Sequence, residues 1–249
     1  MTTFASIARV LTDALSLSRP PISVTFADQI PAGVPVFSET VAAGCRFWQE
    51  AADRVFATVA RDHELCAIGV YTHNLESTPA QQKDLGDALK VFADLGYVRE
   101  ADLPFIPVLN RKAKAIIYGP LGEVPVGPDV VLLFVRADQM LILSEAAQQL
   151  ENALPPAMGR PACAVVSQAY NTGRTAVSGG CCGARAYLDV LKPEVSLFAV
   201  PGSILEAFTD RVAELAKANQ VLTAFHTLRR GQIEAGGRPS VQESLALMS

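Results

Sequence analysis

Most of the chemistry open to this chain of 249 residues rests on five cysteines: Cys45, Cys66, Cys163, Cys181 and Cys182. A thiolate is a nucleophile and a soft metal ligand, so the surroundings of each cysteine decide what it does. Their number is odd, which argues against a framework in which every thiol is paired in a disulfide. No two stand at Cys-x-x-Cys spacing. Zinc ribbons, thioredoxin-type dithiols and bacterial ferredoxin runs are therefore excluded as local motifs. If the cysteines share a task, the fold must bring them together.

The densest stretch is Met158 to Arg185, in which seventeen residues separate Cys163 from Cys181. Gly179, Gly180 and Gly183 surround Cys181 and let backbone amides approach a buried group closely. Amides aimed at sulfur favour negative charge. Arg160, Arg174 and Arg185 would add positive charge, and such surroundings lower a thiol pKa. Cys181 and Cys182 could bind a soft metal together or close a strained vicinal disulfide. Against that, adjacent side chains usually point apart, and then only one thiol faces inward. His63 lies three residues before Cys66, as a candidate ligand or proton donor, or else as a plain loop or capping residue. His73 and His226 read as partly exposed. Tyr170 and Asn171 lie near the cysteine loop and read as core or turn packing. Ser-x-x-Lys, Gly-x-Ser-x-Gly and Walker A patterns are absent from the sequence.

Composition narrows the class. The chain is 50% hydrophobic and 18% charged, which excludes a disordered polymer. Its net charge of −4 and pI near 5.4 disfavour a nucleic-acid partner. No apolar run reaches the roughly 18 residues of a membrane span. Met1 to Val10 lacks a basic segment followed by an apolar one, so no signal peptide is expected and the cytoplasm is the expected compartment.

The elements that must position the cysteines follow from periodicity. Residues 2–18 carry apolar side chains at helical spacing. Residues 22–26, 55–59, 114–118, 129–135, 162–166 and 195–200 read as strands, with 129–135 buried on both faces. Residues 41–52 read as a short helix with Cys45, Trp48 and Ala52 on one face. Ser77-Thr78-Pro79 starts a helix that stops at Gly96. Residues 138–152 are helical, and with strands 129–135 and 162–166 they suggest a parallel crossover. Residues 184–191 open a helix, and helices cover about 203–229. The expected fold is a single mixed α/β domain over 1–230 with one central, mainly parallel or mixed sheet, α+β being the alternative. Residues 231–249 are expected to be a polar, mobile tail.

In chain order, Phe37 and seven residues lead to Cys45-x-x-Trp48. Cys66-Ala-x-Gly69, Gly159-Arg160-Pro161-x-Cys163-Ala164, Ser178-Gly-Gly-Cys181-x-Gly183-x-Arg185 and Ala199-x-Pro201-Gly202 follow. Taken as a set, these motifs resemble a widespread prokaryotic family, domain of unknown function 169, over roughly residues 5–225. The resemblance implies a four-cysteine set of Cys45, Cys66, Cys163 and Cys181, with Cys182 as the extra one, and no activity.

Four thiolates are the usual complement of an iron–sulfur cluster or a structural zinc. Gaps of 20, 96 and 17 residues fit zinc poorly, because zinc knuckles fold locally. The leading expectation is therefore a cytoplasmic 4Fe–4S protein ligated by Cys45, Cys66, Cys163 and Cys181. Cys182 and His63 stand as further candidate ligands, with Arg160, Gly180, Gly183 and Arg185 around the cluster. Such a protein would transfer electrons or act on a small substrate, with a redox protein or a small molecule as partner and a homo-oligomer as an option. Two other readings compete: a non-catalytic protein binding haem or a small ligand in an apolar pocket, and a cofactor-free protein with buried structural thiols.

Overall fold

The computed structural model describes residues 3–248. Helix α1 (Phe4–Leu15) is capped by Thr3, whose hydroxyl accepts from the Ser6 amide. It ends at Ser16, in the left-handed conformation, before the Arg19-Pro20-Pro21 stop is reached. Strand β1 (Ile22–Ala27) follows. A 3-10 turn (Gly44–Arg46) runs into the single-turn helix α2 (Phe47–Glu50), so the expected helix over 41–52 is shorter than its apolar pattern suggests. Strand β2 (Phe56–Val59), a 3-10 turn (Ala60–His63) and helix α3 (Ala67–Thr72) come next. Helix α4 (Pro79–Asp94) starts at the expected cap: Thr78 Oγ1 accepts from the Gln81 amide at 3.2 Å, and the Gln81 side chain returns the bond.

Strands β3 (Ala115–Pro120) and β4 (Val130–Val135) are buried along their whole length. Helix α5 (Ala137–Leu150) leads to the two-residue strand β5 (Ala157–Met158). Residues 162–166 are not a strand. Ala164–Thr172 form helix α6, with Val165, Val166 and Ala169 buried. An apolar run this short fits a buried helix as well as a buried strand, and residues 162–167 are buried without a break, so periodicity does not separate the two. Strand β6 (Ala176–Ser178), helix α7 (Cys182–Tyr187), strand β7 (Ser196–Pro201) and the long helix α8 (Leu205–Glu234) complete the domain. The expected tail holds the end of α8 and helix α9 (Val241–Ala246), where Ser244 Oγ donates to Gln232 Oε1 at 2.8 Å. Residue 249 of that tail lies outside the described residues.

The fold is α/β with one seven-stranded mixed sheet, ordered β2-β3-β1-β4-β7-β6-β5. Its ladders are antiparallel except β5–β6, so the expected crossover between 129–135 and 162–166 does not occur. Alternation along β4 sorts its side chains between two cores. Val131, Leu133 and Val135 face a layer of α1, α5 and α8 that includes Leu11, Leu143 and Phe208. Val130, Leu132 and Phe134 face the other layer, built from α2, α3, α6 and α7. All five cysteines lie in or beside that second layer. Among the described residues no helix is long and apolar enough to cross a membrane.

Candidate functional site

The second layer gathers four of the cysteines from four short elements. Cys45 sits in the 3-10 turn before α2, while Cys66, Cys163 and Cys181 each stand at the residue just before a helix, α3, α6 and α7. Cys45 and Cys163 are buried, Cys66 and Cys181 are partly exposed, and Cys182 is exposed. Only Cys181 of the adjacent pair packs on the core, and all five thiols are free. The side chains of Cys45, Cys66, Cys163 and Cys181 lie within electrostatic reach of one another. Burial pushes the Cys45 thiol up to about 12, and the neighbouring Cys66 and Cys181 add to this. Burial also raises Cys163 well above its ordinary value, with Cys66 contributing. Cys66 is raised by burial too, against the backbone amides of Gly44 and Gly69, which favour its charged form.

This is convergence without coordination. Among the described residues no group of three or more His, Cys, Asp or Glu side chains is placed to hold a metal ion. That finding overturns the iron–sulfur reading, and with it the redox and metal-binding roles expected of the four cysteines. The physical reason lies in the surroundings. A cluster needs thiolates, yet burial disfavours the charged form of Cys45, Cys66 and Cys163, and the expected positive charge is elsewhere. Arg160 is on the surface, 3.5 Å from Asp102, and Arg174 pairs with Glu151 at 3.1 Å. Arg185 donates to the carbonyls of Gly179, Leu191, Lys192 and Val195, so it fastens the loop around Cys181 and serves no sulfur. Gly180 adopts φ +84°, and a Cβ there would stand 2.7 Å from Leu191 Cδ2. Gly183 has no comparable constraint. The arginine that does act on a thiol is Arg46, next to Cys45.

Two histidines and a tyrosine complete the group. His63 is 1% and His73 2% exposed, so His73 is not the partly exposed residue its sequence suggests. The His63 and His73 ring centroids are 6.4 Å apart. Phe47 lies against His63 at 4.8 Å, and Phe26 against His73 at 5.8 Å. His63 Nε2 is 3.0 Å from Thr58 Oγ1. His63 Nδ1, both ring nitrogens of His73 and the Tyr118 hydroxyl are buried without a hydrogen-bond partner among the described residues. Burial, with His73 nearby, pushes His63 down to about 3. Burial pushes His73 down to about 4, although the Cys163 backbone pulls the other way. Tyr118 is raised by burial and by Cys163, Cys66 and Cys45. At neutral pH every one of these groups is uncharged.

Two glycines make the close packing feasible. A Cβ on Gly44 would stand 2.9 Å from His63 Nδ1 and 3.6 Å from Cys66 Sγ. One on Gly69 would stand 3.0 Å from Cys66 Sγ and 3.8 Å from His63 Nδ1. Ser167 Oγ donates to the Thr72 carbonyl at 2.7 Å and ties α6 to α3, while Gln81 Nε2 donates to the His63 carbonyl at 3.3 Å. Asn171 lies in the last turn of α6, where its side chain accepts from the Asn110 amide and donates to the Val108 carbonyl. His73 and Tyr118 carry no local sequence signal, although the placing of Tyr118 inside a strand that is apolar on both sides was one hint.

No curated protein and no solved structure shows a significant match to the chain. The uncharacterised ArCR family, domain of unknown function 169, matches residues 10–211. That span takes in all five cysteines, both buried histidines and Tyr118, and the chain belongs to this family.

Proposed function

We propose that the protein binds a small uncharged molecule among His63, His73, Tyr118 and the thiols of Cys45, Cys66 and Cys163. The observation that carries this reading is the set of buried polar atoms without partners among the described residues, His63 Nδ1 and Tyr118 OH foremost, beside the His73 ring, for which the Cys163 backbone is the one polar neighbour recorded. Each such atom costs about 1–3 kcal/mol when left unpaired, so several in one place point to a ligand that pairs them. This group holds imidazole and hydroxyl groups that both donate and accept, together with weakly donating thiols. Burial outweighs the charge-favouring amides of Gly44 and Gly69 and the nearby Arg46: the imidazoles are neutral well below pH 7 and the thiols are held protonated. An ionised ligand would lose its hydration for no return, so the fitting ligand is neutral and hydrogen-bonding, with Phe26 and Phe47 as apolar walls. Five free thiols suit a reducing compartment, which supports the cytoplasm as the place of action.

The test follows the two imidazoles by nuclear magnetic resonance during titration with formamide and acetamide, which are uncharged, and with acetate and methylammonium, which are not. Saturable shifts of both rings with the uncharged pair alone are expected. Shifts of equal size with the charged pair, or none with either, would overturn the reading.

A further inference from the structure

We propose that Cys66 is a nucleophile that accepts the acyl group of a small uncharged ester or thioester, with His63 as its general base and Thr58 as the residue that positions His63. The inference rests on the binding reading, since the acyl compound would meet the same side chains, and it adds a reaction to it.

Geometry carries the assignment. The Gly44 and Gly69 positions each lie close to both Cys66 Sγ and His63 Nδ1. The two atoms are thus separated by no more than the 2.9 and 3.6 Å distances from the Gly44 position laid end to end. Only a residue without a side chain leaves that approach open. His63 is 1% exposed, and its Nδ1 has no partner among the described residues. In the tautomer whose Nε2–H donates to Thr58 Oγ1, 3.0 Å away, Nδ1 is the bare, proton-accepting nitrogen, turned to the side where Cys66 lies. Nucleophile, base and a third group that orients the base form the arrangement of thiol acyl-transfer sites, and in free proteins the first of these contacts is often long.

The other cysteines lack this set. Cys45 and Cys163 are buried and Cys182 is exposed and outside the core, while Cys66 and Cys181 are partly exposed, and Cys181 Sγ already accepts from the Ala184 amide at 3.4 Å. A surface cleft of about 430 Å³ is lined by Thr40 and Val41, just before Gly44, and by Arg61, Asp62, Glu64 and Leu65, on either side of His63 and just before Cys66. The Gly44 and Gly69 amides favour negative charge on Cys66 Sγ as it develops. At rest the thiol is protonated and His63 neutral, so the proton moves during the attack. As Sγ bonds to the acyl carbon, the thiol proton passes to His63 Nδ1. The carbon–oxygen or carbon–sulfur bond breaks, and the leaving group departs with the electron pair and takes that proton. Water then attacks the thioester with Nδ1 as base. Sγ leaves and regains the proton, and the carboxylic acid is released.

The test uses the full chain with p-nitrophenyl acetate. The expected result is a burst of one p-nitrophenolate per chain and an acetyl group on Cys66 by peptide mass mapping. His63→Gln should slow acetylation by about 10²-fold or more, the scale of general-base catalysis. Thr58→Val should lower kcat by a smaller factor with KM little changed, and Thr58→Ser should restore it, a rescue that a packing role would not give. Acetylation of another residue, or an unchanged rate in a folded His63→Gln, would overturn the proposal. If His63→Gln does not fold, the two Thr58 variants decide. Formamide shifts on the two rings without acetylation of Cys66 would remove acyl transfer and leave binding standing, and acetylation without saturable fragment binding would do the reverse.

Discussion

His63 is anchored at one nitrogen only: Nε2 lies 3.0 Å from Thr58 Oγ1, while Nδ1, equally buried, has no partner among the described residues. Thr58 belongs to β2 and His63 to the 3-10 turn directly after it, so one strand end holds the ring in place. The free nitrogen then faces the space that Gly44 and Gly69 leave beside Cys66. This relationship, more than the number of cysteines, is what gives the site its chemistry.

Acid should destabilise the protein well before its carboxylates titrate. His63 is held neutral down to about 3 and His73 down to about 4, against 6.5 in the unfolded chain. Between those values the unfolded state binds more protons, so stability falls as pH drops below about 6.5, by up to ~1.4 kcal/mol per pH unit for each ring. Urea unfolding at a series of pH values should show this slope, and it should be roughly halved in His73→Asn. A flat profile across that window would contradict the burial of both rings.

Alkali should act in the same direction for the opposite reason. Cys45 stays protonated up to about 12, and Cys163 is also raised well above the 9.0 of an unfolded thiol. Above about pH 9 the unfolded state therefore holds fewer protons, and stability falls as pH rises, by up to ~1.4 kcal/mol per unit for each thiol. Cys45→Ala should lessen the alkaline slope while leaving the acid slope unchanged.

Gly69→Ala and Gly86→Ala place the same methyl group in two helices with opposite results. At Gly69 it meets Cys66 Sγ at 3.0 Å, whereas at Gly86 in α4 nothing lies within 4 Å. The first should cost about 1–3 kcal/mol through overpacking. The second should stabilise by about 0.5–1 kcal/mol, because alanine loses less backbone entropy in a helix. Thermal unfolding of the two variants measures both.

Tyr118→Phe removes a buried hydroxyl that has no partner. Stability should be unchanged or slightly higher, since no hydrogen bond is lost and one desolvated group is gone. Formamide binding should weaken several-fold in the same variant. Stability that falls by more than about 1 kcal/mol would show that the hydroxyl is satisfied within the fold.

Arg185→Ala leaves the carbonyls of Gly179, Leu191, Lys192 and Val195 without their shared donor. The loop carrying Cys181 should loosen, with a loss of about 1–3 kcal/mol. Ellman's reagent should then react faster with Cys181, while the rate at the already exposed Cys182 stays the same. Equal rates at Cys181 in both proteins would mean that the loop is held by other contacts.

Local pattern alone determined much of the fold of this protein. The uninterrupted apolar run of β4 required a strand buried on both faces, and Ser77-Thr78-Pro79 required the start of α4, because both signals are complete within a few residues. Tertiary structure decided the rest. Residues 162–166 fit strand or helix equally in isolation, and the packing of Val165, Val166 and Ala169 made them α6. His73, just after α3, and Tyr118, in β3, became part of a site only because both meet the Phe47–His63 pair in the second layer, a relation between residues far apart in the chain. The four cysteines show the limit most plainly. Their types and order are written in the sequence, but whether four thiols share an ion depends on their separation in space and on the charge around them. Here α2, α3, α6 and α7 bring them near one another and desolvate them, while the arginines are spent on carboxylates and carbonyls elsewhere. Neutral thiols beside neutral imidazoles are the result, and such surroundings suit an uncharged ligand and do not suit a cluster.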